Sequence, residues 1–172
     1  MVDITDISIH RANKGQVSVH GKEYQAVHCL SIPLHNKNAL LPNAAVAEVI
    51  AYSEPDMVAD GPNWLLGNLQ WRDRKVPLVS LEALTGDDVV DKNGPRIAVL
   101  NTLNSNPKVP YIAVLLQGIP SLTLVQPENI KWDEGQKIQG NNSVAGYVTL
   151  EDGTALIPDI DNLEQRIEKL HV

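Results

Sequence analysis

Residues 64–84 read WLLGNLQWRDRKVPLVSLEAL, and the chain says something like it twice. Residues 145–163, AGYVTLEDGTALIPDIDNL, overlie them at an offset of 79, so that Gly67 meets Gly146, Leu69 meets Val148, Trp71 meets Leu150 and Asp73 meets Asp152. Past the turn, Val76 falls on Ala155, Leu78 on Ile157, Leu81 on Ile160 and Leu84 on Leu163. Residues 40–50, LLPNAAVAEVI, overlie residues 115–125, LLQGIPSLTLV, at an offset of 75, and one small insertion reconciles the two registers. A period this long, present in two copies, means duplicated subdomains rather than a solenoid of short repeats.

Composition narrows the classes. At 172 residues the chain suffices for one domain or two small lobes, and its 43% hydrophobic content suffices for a core. No run approaches the roughly 20 apolar residues that span a bilayer. The segment MVDITDISIH carries acids where a signal peptide carries positive charge, so the expected location is the cytoplasm, with no direct membrane insertion. A single cysteine, Cys29, rules out a disulfide within the chain. The formal net charge of −7 repels phosphate backbones and anionic lipid, which argues against nucleic acid as a partner.

Most apolar segments are short, rich in Val, Ile and Leu, and punctuated by Pro, Gly, Asn or Asp, the pattern of many short strands in sandwiches or small barrels. In the first copy strands are expected over 24–33, 39–41, 46–52, 66–71 and 75–80. In the second they are expected over 96–100, 109–117, 121–126, 144–150 and 155–158. Tight reversals fall at Arg72-Asp73-Arg74 and at Glu151-Asp152-Gly153, where Asp-Gly has the backbone freedom of a two-residue hairpin turn. Residues 101–107 and 133–143 read as loops, and 87–95 as the connector. Single helical turns are expected at 44–47 and 81–84. A C-terminal helix spans 161–171, capped by Asp161 with Glu164 completing a capping box, and Leu163, Ile167 and Leu170 share one face.

Catalytic patterns are absent from the sequence. Neither phosphate-binding glycine loops nor a nucleophile elbow nor H-E-x-x-H occurs. His28 and Cys29 are neighbours on a strand and point to opposite faces, so they do not act as base and nucleophile together. The spacing of His10, His20, His35 and His171 builds no metal site with one cysteine. Asp159-x-Asp161 is a carboxylate pair, yet Asp161 is explained as a cap and Asp159 falls on Ser80 of the first copy. No cofactor is expected. Glu48 and Arg72 stand out as charges in otherwise apolar strands, where each calls for an opposite partner. An ion pair between them would tie the strand at 46–52 to the hairpin.

With the duplication, Glu48 and the hairpin in view, the chain resembles CheW, the coupling protein of bacterial chemosensory arrays, from about Tyr24 to Leu163. Val46-Ala47-Glu48-Val49 matches a V-x-E-V strand end, and residues 64–81 match W-x-x-G-x-x-x-x-R-G-x-x-V-P-V-V-D-L. Gly146, Asp152-Gly153 and residues 157–161 match the second-lobe signature. Asp73 departs from the family's Gly, Ser80 from its Asp, and Pro158 interrupts the second strand end. The segments LLPNAAVAEVI and LLQGIP look most like the ChpC-type couplers of pilus chemosensory systems.

The resemblance implies a mainly β fold in a single domain over 1–172, formed by two SH3-like five-stranded barrels related by pseudo-twofold symmetry with a groove between them. Lobe one would occupy about 24–86 and lobe two about 96–163. It implies a non-catalytic adaptor contacting the regulatory domain of a CheA-type histidine kinase and the cytoplasmic tip of a chemoreceptor. By motif match Val46, Glu48, Ile50, Leu69 and Arg72 would contact the receptor, with Arg74 and Lys75 on the kinase side. The rival reading is a small-molecule-binding or enzymatic β-barrel using the groove with Asp159, Asp161 or His20 as polar anchors.

Overall fold

The duplicated stretch folds as the same hairpin twice. In a computed structural model describing residues 16–19, 22–87, 95–138 and 143–170, β6 (Leu65–Trp71) turns into β7 (Arg74–Val79), and β12 (Val144–Leu150) turns into β13 (Gly153–Pro158). Both members of the repeated glycine pair sit at β-bulges, between Leu65 and Gly67 and between Val144 and Gly146. The reason is close approach. A Cβ on Gly67 would lie 2.4 Å from the Asp56 carbonyl oxygen, and one on Gly146 would lie 2.3 Å from the Trp132 ring. A bulge bends the strand at the corner where a sheet curls onto itself, and only glycine leaves room for the segment that crosses there.

Around these hairpins lie β3 (Val27–Pro33), β4 (Asn38–Pro42), β5 (Val46–Ala51), β8 (Arg96–Asn101), β9 (Tyr111–Leu116), β10 (Ser121–Val125) and the two-residue β11 (Lys131–Trp132). The five-stranded sheet runs β5-β8-β9-β7-β6 and the six-stranded sheet β10-β3-β4-β13-β12-β11. Position for position these are the same sheet: β7 pairs parallel with β9, and β13 pairs parallel with β4. Each ring closes at its bulge. Asp56 and Asn68 exchange two backbone hydrogen bonds of 2.8 Å, and the Asp133 N–H donates to the Tyr147 carbonyl at 2.9 Å, Tyr147 being the repeat counterpart of Asn68.

The sheets cut across the linear halves. Barrel one is built from β5 to β9, residues 46–116, and barrel two from β3 and β4 together with β10 to β13. Each copy therefore lends its first strand pair to the other copy's hairpin, and the division into 24–86 and 96–163 does not describe the barrels. Alternation tells a strand which face to bury, and two duplicated edges offer it equivalent pairing partners.

This exchange places apolar residues in three cores. Leu69, Trp71, Val76, Leu78, Ile97, Val99, Ala113 and Leu115 fill barrel one, and the smaller set Cys29, Leu40, Val125, Val148 and Ala155 fills barrel two. The largest cluster, including Ile32, Leu41, Trp64, Val79, Leu100, Ile112, Leu116, Leu156 and Leu163, joins the two barrels. Leu40 and Leu115, matched at the offset of 75, face the two barrel interiors, while Leu41 and Leu116 face the shared core.

Helices begin at matched places. Ser80 caps α1 (Leu81–Leu84) by accepting from the Ala83 N–H at 3.2 Å, and Asp159 caps α2 (Ile160–Leu170) by accepting from the Asn162 N–H at 2.9 Å. The cap of the C-terminal helix is thus Asp159 rather than Asp161, because Ile160, buried at 7% exposure, has to open the helix to reach the shared core. Glu164 reaches no cap and instead accepts from Asn104 Nδ2 at 3.2 Å. Leu163 and Ile167 are buried, but Leu170 is 41% exposed, so the helix outruns the core it packs on.

Other differences are local. Val46 already belongs to β5, which confines the expected turn at 44–47 to a 3-10 turn at Asn43–Ala45. The expected strand at 24–33 is broken at Ala26, and Lys22–Gln25 (β2) pairs instead with Gln16–Val19 (β1) in a separate hairpin. Most of the connector at 87–95 lies outside the described residues.

Candidate functional site

β5 forms one edge of the five-stranded sheet and β6 the other, and the end of β6 meets β5 through side chains. The Trp71 indole Nε1–H donates to Glu48 Oε2 at 3.0 Å, and Arg72 Nη2 lies 3.0 Å from the same oxygen. The Arg72 guanidinium also stacks over the Trp71 ring, 4.7 Å from its centroid, and Tyr111 packs edge-on against that ring at 4.9 Å. The anticipated Glu48–Arg72 ion pair is present, with the Trp71 indole as a third member that charge pattern alone did not signal. The pair is solvent-facing, its side chains 68% and 39% exposed, so its contribution is about 0–1 kcal/mol. Its geometry matters more than its energy: it fastens the outer strand to the hairpin tip.

The tip itself is unusual. Arg72 and Asp73 both take positive φ, 45° and 60°, the left-handed pair that a two-residue hairpin turn requires and that Asn-Gly usually supplies. The second hairpin reverses at Glu151-Asp152 and takes positive φ only at Gly153, at 123°.

Other predicted positions divide by burial. Val46 and Ile50 are half-buried, against the shared core and the barrel-one core respectively. Arg74 and Lys75 are exposed just beyond the turn. Leu69 is 2% exposed inside barrel one and offers no partner a surface, a correction its strand already implied, since past the bulge Gly67, Leu69 and Trp71 are buried in alternation.

The residues proposed as chemical anchors are engaged elsewhere. Asp159 caps α2, and Asp161 accepts from Asn104 Nδ2 at 3.0 Å. His20 lies outside the described residues. His28 is exposed while Cys29 is buried on the opposite face, and burial pushes the Cys29 thiol up to about 11, which keeps it protonated and a poor nucleophile. No three His, Cys, Asp or Glu side chains converge on a metal position among the described residues.

Barrel two carries the counterpart of the Glu48 seam, and there it is open. Thr123 stands in the place of Glu48, Leu150 of Trp71 and Glu151 of Arg72. A cavity of about 160 Å³ lies between β10 and the β12–β13 tip, bordered by Ser31, Leu122, Thr123, Leu124, Glu151 and Asp152. Leu122 and Leu124 are 61% and 44% exposed. Laying the two hairpin tips side by side in the repeat, RDRK over EDGT, is the sequence signal that would have exposed this contrast.

Fold and site together define a duplicated double-barrel module that presents hairpin tips and edge strands at its surface. A CheW-like domain model matches residues 28–168, and the chain belongs to that family. Its structure is similar to the scaffolding protein CheW from Thermoanaerobacter tengcongensis, with a TM-score of 0.65 and 15% identity over 78% of this chain and 89% of the other, a likeness of fold. No curated protein matches the sequence.

Proposed function

We propose that the protein is a non-catalytic adaptor that couples chemoreceptors to a CheA-type histidine kinase in bacterial chemosensory signalling, working in the cytoplasm with type IV pilus twitching as its output. Membership of the CheW-like family carries the reading, and the Glu48–Trp71–Arg72 arrangement supports it. The seam holds β5 and the tip in one rigid surface, so little conformational freedom is lost when a partner docks. Val46, Glu48, Ile50 and Arg72 form the receptor side, and Arg74 and Lys75 the kinase side. No helix among the described residues is long and apolar enough to cross a membrane.

The test is binding of the purified protein to a CheA-type regulatory domain and to a receptor-tip fragment, with Glu48→Lys and Arg72→Glu as variants. The reading expects saturable binding to both, weakened at least tenfold by either variant while the melting temperature stays within a few degrees. Absence of binding to either partner overturns it. Deleting the gene and scoring twitching against swimming tests the output.

A further inference from the structure

We propose that barrel two holds a binding site for a small aliphatic diamine, in the cavity between β10 and the β12–β13 tip. The repeat shows where the space comes from. In barrel one the buried Trp71 indole and the Glu48 carboxylate that accepts from it occupy this seam. In barrel two their places pass to Leu150 and Thr123, two smaller side chains, and a cavity of about 160 Å³ is left between them.

The walls of that cavity are polar on the strand side. Cys29 and Leu40 belong to the barrel-two core, so Ser31 and Asn38, two residues along the same strands, face the same interior. Ser121 and Thr123 stand opposite Ser31 and Cys29 across the β10–β3 pair and share that face. All four line the cavity, and none of their side chains hydrogen-bonds to another protein group among the described residues. At the mouth Glu151 and Asp152 are exposed, and neither enters an ion pair among the described residues. This combination selects the ligand. Two carboxylates without a countercharge attract a cation and repel an anion. Three hydroxyls and an amide oxygen can accept from an ammonium group, which has three hydrogens to donate. Leu150 gives a short hydrocarbon chain an apolar surface to lie on. The volume is well under the roughly 300–1,000 Å³ of sites for drug-sized ligands, and a cavity of about 150 Å³ takes a molecule of benzene's size. 1,4-Diaminobutane matches that size: one ammonium reaches the hydroxyls of Ser31, Ser121 and Thr123, and the other stays at the acidic mouth.

The inference does not depend on the coupling role, and its test contains neither kinase nor receptor, so the two fail separately. 1,4-Diaminobutane is titrated into the isotope-labelled full chain at constant ionic strength, with butane-1,4-diol and succinate as neutral and anionic counterparts, and backbone amide resonances are followed. Saturable shifts are expected for the diamine, concentrated on the amides that line the cavity. The diol should bind at least tenfold more weakly and succinate should not bind. Glu151→Gln combined with Asp152→Asn should weaken the diamine at least tenfold. Leu150→Trp, which gives barrel two the indole of barrel one, should fill the cavity and abolish binding. Circular dichroism establishes that each variant is folded, and Thr123→Leu, a smaller filling substitution on the edge strand, stands in for Leu150→Trp if that chain is not. A diamine that gives no saturable shift, or shifts centred away from the cavity, overturns the proposal. Equal binding of the diol, or binding that survives the filling substitution, overturns it as well.

Discussion

Gly67→Ala tests whether the bulge closes barrel one as described. The added methyl would lie 2.4 Å from the Asp56 carbonyl oxygen and 2.9 Å from both the Asp56 carbonyl carbon and Pro55 Cβ, at a φ of +144°. The obstacle is mostly backbone, so relief requires moving Asp56 away. That move breaks the two 2.8 Å hydrogen bonds it exchanges with Asn68. Two lost backbone hydrogen bonds cost about 1–3 kcal/mol together, and the unfavourable φ adds about 1–3 kcal/mol. The expected total is about 2–6 kcal/mol, a large share of the roughly 5–15 kcal/mol that holds a domain folded. Gly153→Ala serves as the reference, because Gly153 has a φ of +123° and nothing within 4 Å, leaving strain alone. Gly146→Ala should cost less than Gly67→Ala, since its φ is unstrained and its obstacle is the half-exposed Trp132 ring, a side chain with somewhere to go. Urea unfolding followed by tryptophan fluorescence ranks the three. If Gly67→Ala proves no more costly than Gly153→Ala, the crossing segment is not holding the ring shut, and the closure argument fails.

Glu48→Ala leaves the Trp71 indole N–H without its acceptor and should cost about 1–2 kcal/mol, while Glu48→Gln keeps an acceptor and should cost under about 1 kcal/mol; thermal melts separate them. Asp159→Ala should destabilise by about 1–2 kcal/mol as a lost helix cap, and Asp161→Ala, on the exposed first turn, by about 0.5 kcal/mol or less; equal losses in urea titrations would place the cap wrongly. The Cys29 thiol, raised from 9.0 to about 11 by burial, stays protonated in the fold while the unfolded chain already ionises. Its contribution is therefore fully present below about pH 9 and lost as pH climbs through about 11. The wild type should lose stability over that window relative to Cys29→Ala, and a thiol reagent should label the native protein far more slowly than the urea-unfolded chain; prompt native labelling would mean the side chain is open to solvent.

Much of the fold was legible because the chain repeats itself. A matched glycine, a matched reversal and a matched apolar alternation located both hairpins, and a charge in one apolar strand with an opposite charge where the next strand ends pointed to the Glu48–Arg72 pair. Leu69 shows how motif matching misleads when alternation is ignored: its neighbours two residues away on either side face inward, and so does it. Asp159 shows the converse, since its match to Ser80 marks both positions as helix caps.

Local physics determined, from the sequence by itself, that this is a duplicated β protein with short strands, two hairpins and a C-terminal helix: steric preference and two-residue periodicity act between near neighbours. Which strands share a sheet was decided only in three dimensions. β3 and β4 alternate as strands whatever they pair with, and the tertiary fold sets β4 beside β13 of the second hairpin, with the core that joins the barrels packed between the two sheets. The bond from Glu48 to Trp71 and the open seam at Leu122 are tertiary too, because each lies where the edge strand of a sheet, β5 or β10, comes round to the tip of the hairpin at the sheet's other side.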